Sequence, residues 1–182
     1  SMELTKELID KAAKAGCHAV KLQKRTIDLV YTKDELDAKR DSPWGTTNRE
    51  QKEGLEFSIE QHKEIENYAN YKGLDYFVSC WDENSIDLVE KNLNVKYHKI
   101  PSALLTSRSF LEKINSTGKK VIVSTGMSSK EEIDMALSIL ENVEFFSISR
   151  DLRKYFSANL NLFNFNVTTD SNHLQSISRR EK

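Results

Sequence analysis

Lys21 and Lys99 are the side chains of this sequence whose type and setting point most directly to chemistry. Lys21 stands in Ala19-Val20-Lys21-Leu22-Gln23, where strand alternation sends Val20 and Leu22 to one face and Lys21 and Gln23 to the other. If the apolar pair meets a layer of helices, Lys21 and Gln23 face the inside of a sheet or barrel. An ammonium group there costs free energy unless it meets an anion. The alternative is that Lys21 lies at a strand edge and snorkels to water. Lys99 repeats the anomaly in Tyr97-His98-Lys99-Ile100-Pro101-Ser102, near the C-terminal end of its own strand. In a parallel α/β sheet the strand C-termini form the binding face, so both lysines would approach one cleft. Paired ammonium groups suit a phosphate, or a phosphate plus a carboxylate, each acting as a point charge.

Two further strings sit where strands end. Ser124-Thr125-Gly126-Met127 follows the apolar run Val121-Ile122-Val123 and precedes a helix that opens at Ser128 or Ser129. Its hydroxyls either help backbone N–H groups to hold an anion or cap the helix. Ser79-Cys80-Trp81-Asp82 occupies the equivalent place after an earlier strand. Cys80 would need a base to act as a nucleophile, and His18, His62, His98 and His173 show no Cys-His arrangement with it. A buried or pocket-lining thiol is the reading that remains. The histidines also lack an HxxxH or other close ligand spacing, so no local metal motif is present.

The elements that must position these residues recur in the order amphipathic helix, glycine, short apolar strand. Leu4, Leu8, Ile9, Ala12 and Ala15 share a helical face, Gly16 offers a left-handed cap, and residues 17–23 read as a strand. Ser58 and Gln61 form a capping box for a helix that ends at Gly73, ahead of a strand over 75–80. A helix around Ile86, Val89 and Leu93 leads to a strand over 97–100, with Asn92 or Asn94 supplying the turn. Phe110, Leu111 and Ile114 mark a helix ended by Gly118, before a strand over 120–125. Ser129 with Glu132 opens a helix before a last strand over 143–148. Five strands separated by helices imply right-handed crossovers and a parallel sheet. Periodicity alone leaves an open doubly wound sheet and a (β/α)8 barrel equally possible. No GxGxxG or GxxxxGK[ST] turn supports a nucleotide-binding fold. The charged stretch between Lys24 and Leu55 is too long for a tight connection and reads as a functional loop.

With 27 Lys+Arg against 28 Asp+Glu, the charge balance gives no reason to expect a nucleic acid or an acidic membrane as partner. The charged opening, Ser1 to Leu8, does not read as a signal peptide, and no segment has the length and apolarity to span a membrane. Cys17 and Cys80 form no CxxC pair, and a reducing cytoplasm is the expected compartment.

Taken in order, five strings resemble the N-acetylneuraminate (sialic acid) synthase family, including its legionaminate and pseudaminate synthases. They are Ala19-Val20-Lys21-Leu22-Gln23-Lys24, Arg40-Asp41-Ser42-Pro43-Trp44-Gly45, Ser79-Cys80-Trp81-Asp82, Lys99-Ile100-Pro101-Ser102-Ala103 and Val123-Ser124-Thr125-Gly126-Met127. The resemblance covers about residues 3–146. It implies a TIM barrel that condenses phosphoenolpyruvate with an open-chain N-acylated amino sugar of the N-acetylmannosamine type, releasing phosphate, with a divalent metal such as manganese or magnesium. On that resemblance the substrate-binding residues are Lys21, Lys99, Ser102, Ser124, Gln23 and Cys80. Cys80 falls where many members carry threonine.

The same comparison predicts departures. The sequence is expected to begin in the first barrel helix, without the family's EIGxNHxG strand and its catalytic glutamate. Leu104 stands where many members carry Asp, Glu or Ser, and Ser147 where the family has a metal-binding histidine. No counterpart of the later SDHT strand is found, His173 does not replace it, and the family's antifreeze-like domain has no counterpart either. The expected organisation is a partial (β/α)8 barrel over residues 1–148, lacking its first strand and C-terminal half, and an irregular tail over 149–182. Open sheet edges would favour a homodimer or another protein partner. A noncatalytic, truncated remnant that keeps an anion site is the alternative to an active synthase.

Overall fold

The computed structural model describes residues 1–141 and 143–147. They lie in the first of two units, Ser1–Ser149. The second, Arg150–Lys182, lies outside the described residues, as does the irregular tail expected over 149–182.

α1 (Met2–Lys14) is capped by Ser1, whose Oγ accepts from Leu4 N at 3.4 Å. At its far end Gly16 takes φ 77°, and Cys17 N reaches back to Ala12 O at 3.1 Å. This left-handed turn sends the chain into β1 (Ala19–Lys24). The segment expected to be a loop is folded. It contains α2 (Ile27–Val30), α3 (Lys33–Asp37), the antiparallel pair β2 (Lys39–Ser42) and β3 (Gly45–Thr47), and α4 (Asn48–Leu55). Capping boxes at Thr32/Glu35 and Thr47/Glu50 open α3 and α4, which accounts for part of the charge seen in that stretch. Trp44 lies flat enough on α4 that a Cβ at Gly54 would come within 2.1 Å of its indole.

α5 (Ile59–Tyr71) carries the expected capping box at Ser58/Gln61 and leads to β4 (Asp75–Cys80). α6 (Glu83–Asn92) and β5 (Tyr97–Ile100) follow. Neither Asn92 nor Asn94 takes the left-handed conformation suggested by the missing glycine. The chain instead leaves α6 through Leu93 in an extended conformation, and Asn94 N donates to Glu66 Oε1 at 2.8 Å, so a side chain from α5 satisfies the exit. A 3-10 turn (Ser102–Leu104), α7 (Arg108–Ser116), β6 (Lys120–Ser124), α8 (Lys130–Ile139) and β7 (Val143–Ser147) complete the described chain.

The main sheet is parallel with the order β1-β4-β5-β6-β7, which is chain order apart from the inserted hairpin. The helices pack in the same sequence, α1 on α5, α5 on α6, α6 on α7 and α7 on α8. A doubly wound sheet would reverse its order and carry helices on both faces. Here the helix-side residues Tyr76, Val78, Cys80, His98, Ile100, Val121 and Val123 are all at most 3% exposed, while Phe77, Tyr97, Lys99 and Ile122 on the other face are only half-buried. One-sided cover and unreversed order identify part of a (β/α)-barrel wall. Among the described residues no helix is long and apolar enough to cross a membrane.

Candidate functional site

Register converts strand alternation into two rows on the uncovered face. Lys21 pairs with Phe77 and Gln23 with Ser79 across β1 and β4. Val78 lies opposite His98, which puts Phe77 beside Tyr97 and Ser79 beside Lys99. Tyr97 then pairs with Lys120, and Lys99 with Ile122. The lower row is Lys21, Phe77, Tyr97 and Lys120, and the row nearer the strand C-termini is Gln23, Ser79, Lys99 and Ile122. Phe77 and Tyr97 meet edge to face with centroids 6.1 Å apart, forming an aromatic floor beneath the upper row.

Lys21 and Lys99 therefore converge from β1 and β5, across two inter-strand steps of about 4.8 Å each and one pleat along the strands. Burial depresses the Lys21 ammonium. Burial first, and then the Lys21 charge, bring Lys99 down to about 8. Among the described residues neither ammonium has a hydrogen bond or carboxylate partner. Lys21 is exposed on the edge strand β1 and Lys99 is half-buried on β5, so two like charges share the uncovered face beside Phe77 and Tyr97, an arrangement that a bound anion would stabilise.

Ser102 and Ser124 lie at the ends of β5 and β6 and are half-buried. The loops carrying them touch, since a methyl group at Gly126 would lie 3.5 Å from Ser102 Oγ. Thr125, Gly126 and Met127 form a turn closed by Ser128 N to Thr125 O at 3.3 Å, with Met127 at φ 61° and 97% exposed. Ser129, not Ser124, caps α8, so the Ser124 hydroxyl is not consumed by that cap.

Cys80 is separated from this group. It shares the helix-side face with Tyr76 and Val78, is 1% exposed, and burial together with the charges of Asp82 and Glu90 pushes its thiol up. As a substrate contact it is corrected by the pleat: Ser79, fully buried, holds the inward position next to Lys99, and its Oγ donates to Lys99 O at 3.4 Å. Extending to 75–80 the alternation applied to Lys21 would have found it.

A polar latch missed in the sequence holds the strand ends in place. Asp82 accepts from Thr26 N at 2.7 Å, Thr26 Oγ1 at 3.0 Å, and Ser85 N and Oγ at 2.7 Å each. It thus caps α6 and ties the end of β1 to that of β4. Glu56 binds Arg25 Nε at 2.6 Å and Lys24 Nζ at 3.4 Å, and Arg25 lies over the Trp81 ring. Lys24 and Arg25 thus share the one Glu56 carboxylate, while among the described residues Lys21 and Lys99 have no carboxylate partner.

The donors needed for a metal do not assemble among the described residues. His62 and His98 lie buried on the helix side, where His62 Nδ1 meets Tyr76 Oη at 2.6 Å and His98 Nε2 meets Glu90 Oε1 at 2.7 Å. His18 is exposed and His173 lies outside the described residues. No three His, Cys, Asp or Glu side chains among the described residues could together hold a metal ion. Ser147 pairs in register with Ser124, at the C-terminal edge of the sheet.

Residues 8–161 match the model of the NeuB family. The chain is 33% identical over 135 residues to N-acetylneuraminate-9-phosphate synthase of Drosophila melanogaster, covering 73% of this chain and 36% of that protein. It is likewise 33% identical over 143 residues to N,N'-diacetyllegionaminic acid synthase of Legionella pneumophila, covering 77% and 40%. The chain thus spans well under half the length of these relatives. Among solved structures, the N-acetylneuraminic acid synthetase of Leptospira borgpetersenii, in complex with citrate, superposes with a TM-score of 0.71 at 20% identity over 90% of this chain and 57% of that one. That likeness carries the barrel fold, and the family match carries the kinship. With the ordered strings of β1, β4, β5 and β6 on one partial barrel wall, the chain belongs to the NeuB family of sialic acid synthases.

Proposed function

We propose that the uncovered face is the phosphoenolpyruvate side of a synthase site, serving condensation with an open-chain N-acylated amino sugar and release of phosphate. The observation that supports it most is the pair Lys21 and Lys99, an exposed and a half-buried ammonium group on one sheet face without a counter-charge among the described residues. In this reading they take the phosphate and carboxylate of the substrate, Ser102 and Ser124 donate to the phosphate from the strand ends, and Gln23 lines the same row. The aromatic floor of Phe77 and Tyr97 excludes water beneath the bound anion and strengthens each contact. The reading includes a manganese or magnesium ion, but the described side chains do not make a set that fits one, and no step is assigned to it. A homodimer and a cytoplasmic setting belong to the same proposal. β1 and β7 have one strand neighbour each among the described residues, which favours pairing with another polypeptide.

The lack of a metal-binding donor set among the described residues favours a second reading, in which this chain binds the anion without catalysing condensation. Purified chain given phosphoenolpyruvate, N-acetylmannosamine and manganese should release phosphate under the first reading and none under the second. Calorimetry with phosphoenolpyruvate alone tests what both share: binding should weaken at least ~10-fold in Lys99→Ala, the loss of a charge-assisted contact. Equal affinity in that variant would remove the lysine pair from the site.

A further inference from the structure

The lysine pair has chemistry beyond ion pairing. Lys99 lies between Ser79 and Ile122 in the upper row, above the rings of Phe77 and Tyr97, with Lys21 arriving from the lower row. Glu56, the carboxylate at the end of β1, is engaged with Lys24 and Arg25. A lysine beside aromatic rings and a second cation, and without a carboxylate partner among the described residues, has the setting in which an amine becomes a nucleophile toward carbonyl carbon. We propose that Lys99 captures 2-oxo acids as an imine, while Lys21 holds the acid's carboxylate.

The neutral Nζ attacks the ketone carbon, and the carbonyl π pair moves to oxygen. A proton passes from nitrogen to that oxygen in the carbinolamine. A second proton from solvent lets the hydroxyl leave as water, and the nitrogen lone pair closes the C=N bond of a protonated imine. One water is released and nothing is oxidised or reduced. The low proton affinity of Lys99 assists the first step. At pH 7.5 the free-amine fraction is ~24% for a group at about 8, against ~0.1% at the ordinary 10.5.

This inference rests on the same cleft as the proposed anion site, so both are tested together. The full chain is incubated with pyruvate and cyanoborohydride, which delivers hydride to the imine carbon and fixes a carboxyethyl group on the amine, and the product is peptide-mapped. The expected result is an adduct on Lys99 formed at least ~10-fold faster than on exposed lysines such as Lys11 or Lys33. It should be lost in Lys99→Arg and slowed in Lys21→Met, with both variants checked by circular dichroism. Labelling spread evenly over surface lysines, or none at Lys99 in a folded chain, would overturn the imine. Calorimetry with inorganic phosphate separates the two ideas. Phosphate binding without an adduct removes the imine and leaves the anion site standing, whereas a Lys99 adduct without phosphate binding does the reverse.

Discussion

Raising the pH should weaken anion binding far earlier than an ordinary lysine would allow. Lys99 titrates at about 8 because burial over Phe77 and Tyr97, and then the Lys21 charge, oppose its protonation. Only the protonated form attracts the anion. The protonated fraction falls from ~90% at pH 7 to ~3% at pH 9.5, so the part of the affinity that requires this charge falls ~30-fold over that range. A lysine at 10.5 would lose ~10% of its charge over the same interval. Phosphoenolpyruvate suits the assay, since a phosphomonoester has its second ionisation near about 6 and keeps its charge throughout. Calorimetric titrations at half-unit steps should give a flat affinity below pH 7 and a slope approaching tenfold per unit above 8.5. In Lys21→Met the break should move upward, because one of the two causes is gone while burial remains. A constant affinity to pH 9.5, or an unmoved break in that variant, would refute the convergence of the two ammonium groups.

Two further outcomes follow from buried contacts elsewhere. His62 is fully buried with its Nε2 unpartnered, and burial holds it at about 4 against 6.5 in the unfolded chain. The neutral form belongs to the fold, so its contribution is present above pH 6.5 and is lost as pH falls toward 4, by about 3 kcal/mol in all. Urea unfolding of His62→Phe should show a shallower acid slope than the parent chain, and an identical slope would count against the assignment. Gly54→Ala ought to stabilise an exposed helix by ~1 kcal/mol on propensity alone. Here the new Cβ would collide with the Trp44 indole at 2.1 Å, so the expected result is a loss of ~1–3 kcal/mol with altered tryptophan fluorescence. A gain in melting temperature would show that Trp44 does not pack there.

Much of the architecture was legible along the chain. Glycines at 16, 73 and 118, capping boxes at Ser58 and Ser129, and short apolar runs marked the alternation of helix and strand, because each signal acts within one or two turns of backbone. The folded insertion between β1 and α5 was not legible: its helices are short, and Trp44 is placed by a glycine ten residues away. The exit from α6 was misassigned to an asparagine for the same reason, since Glu66 of the preceding helix satisfies it.

The site divides along the same line. Alternation in Ala19-Val20-Lys21-Leu22-Gln23 determined by itself that Lys21 and Gln23 share a face opposite Val20 and Leu22, and the ordered strings determined the family. Period two is a property of one strand, so the sequence could carry it. Tertiary structure alone decided that the covered face is single and the winding unreversed, that Ser79 rather than Cys80 joins Lys99, and that Glu56 pairs with Lys24 and Arg25 but not with Lys21. Each of these depends on which strands pair and in what register. Those pairings link residues tens of positions apart through helix packing, and no local pattern encodes them.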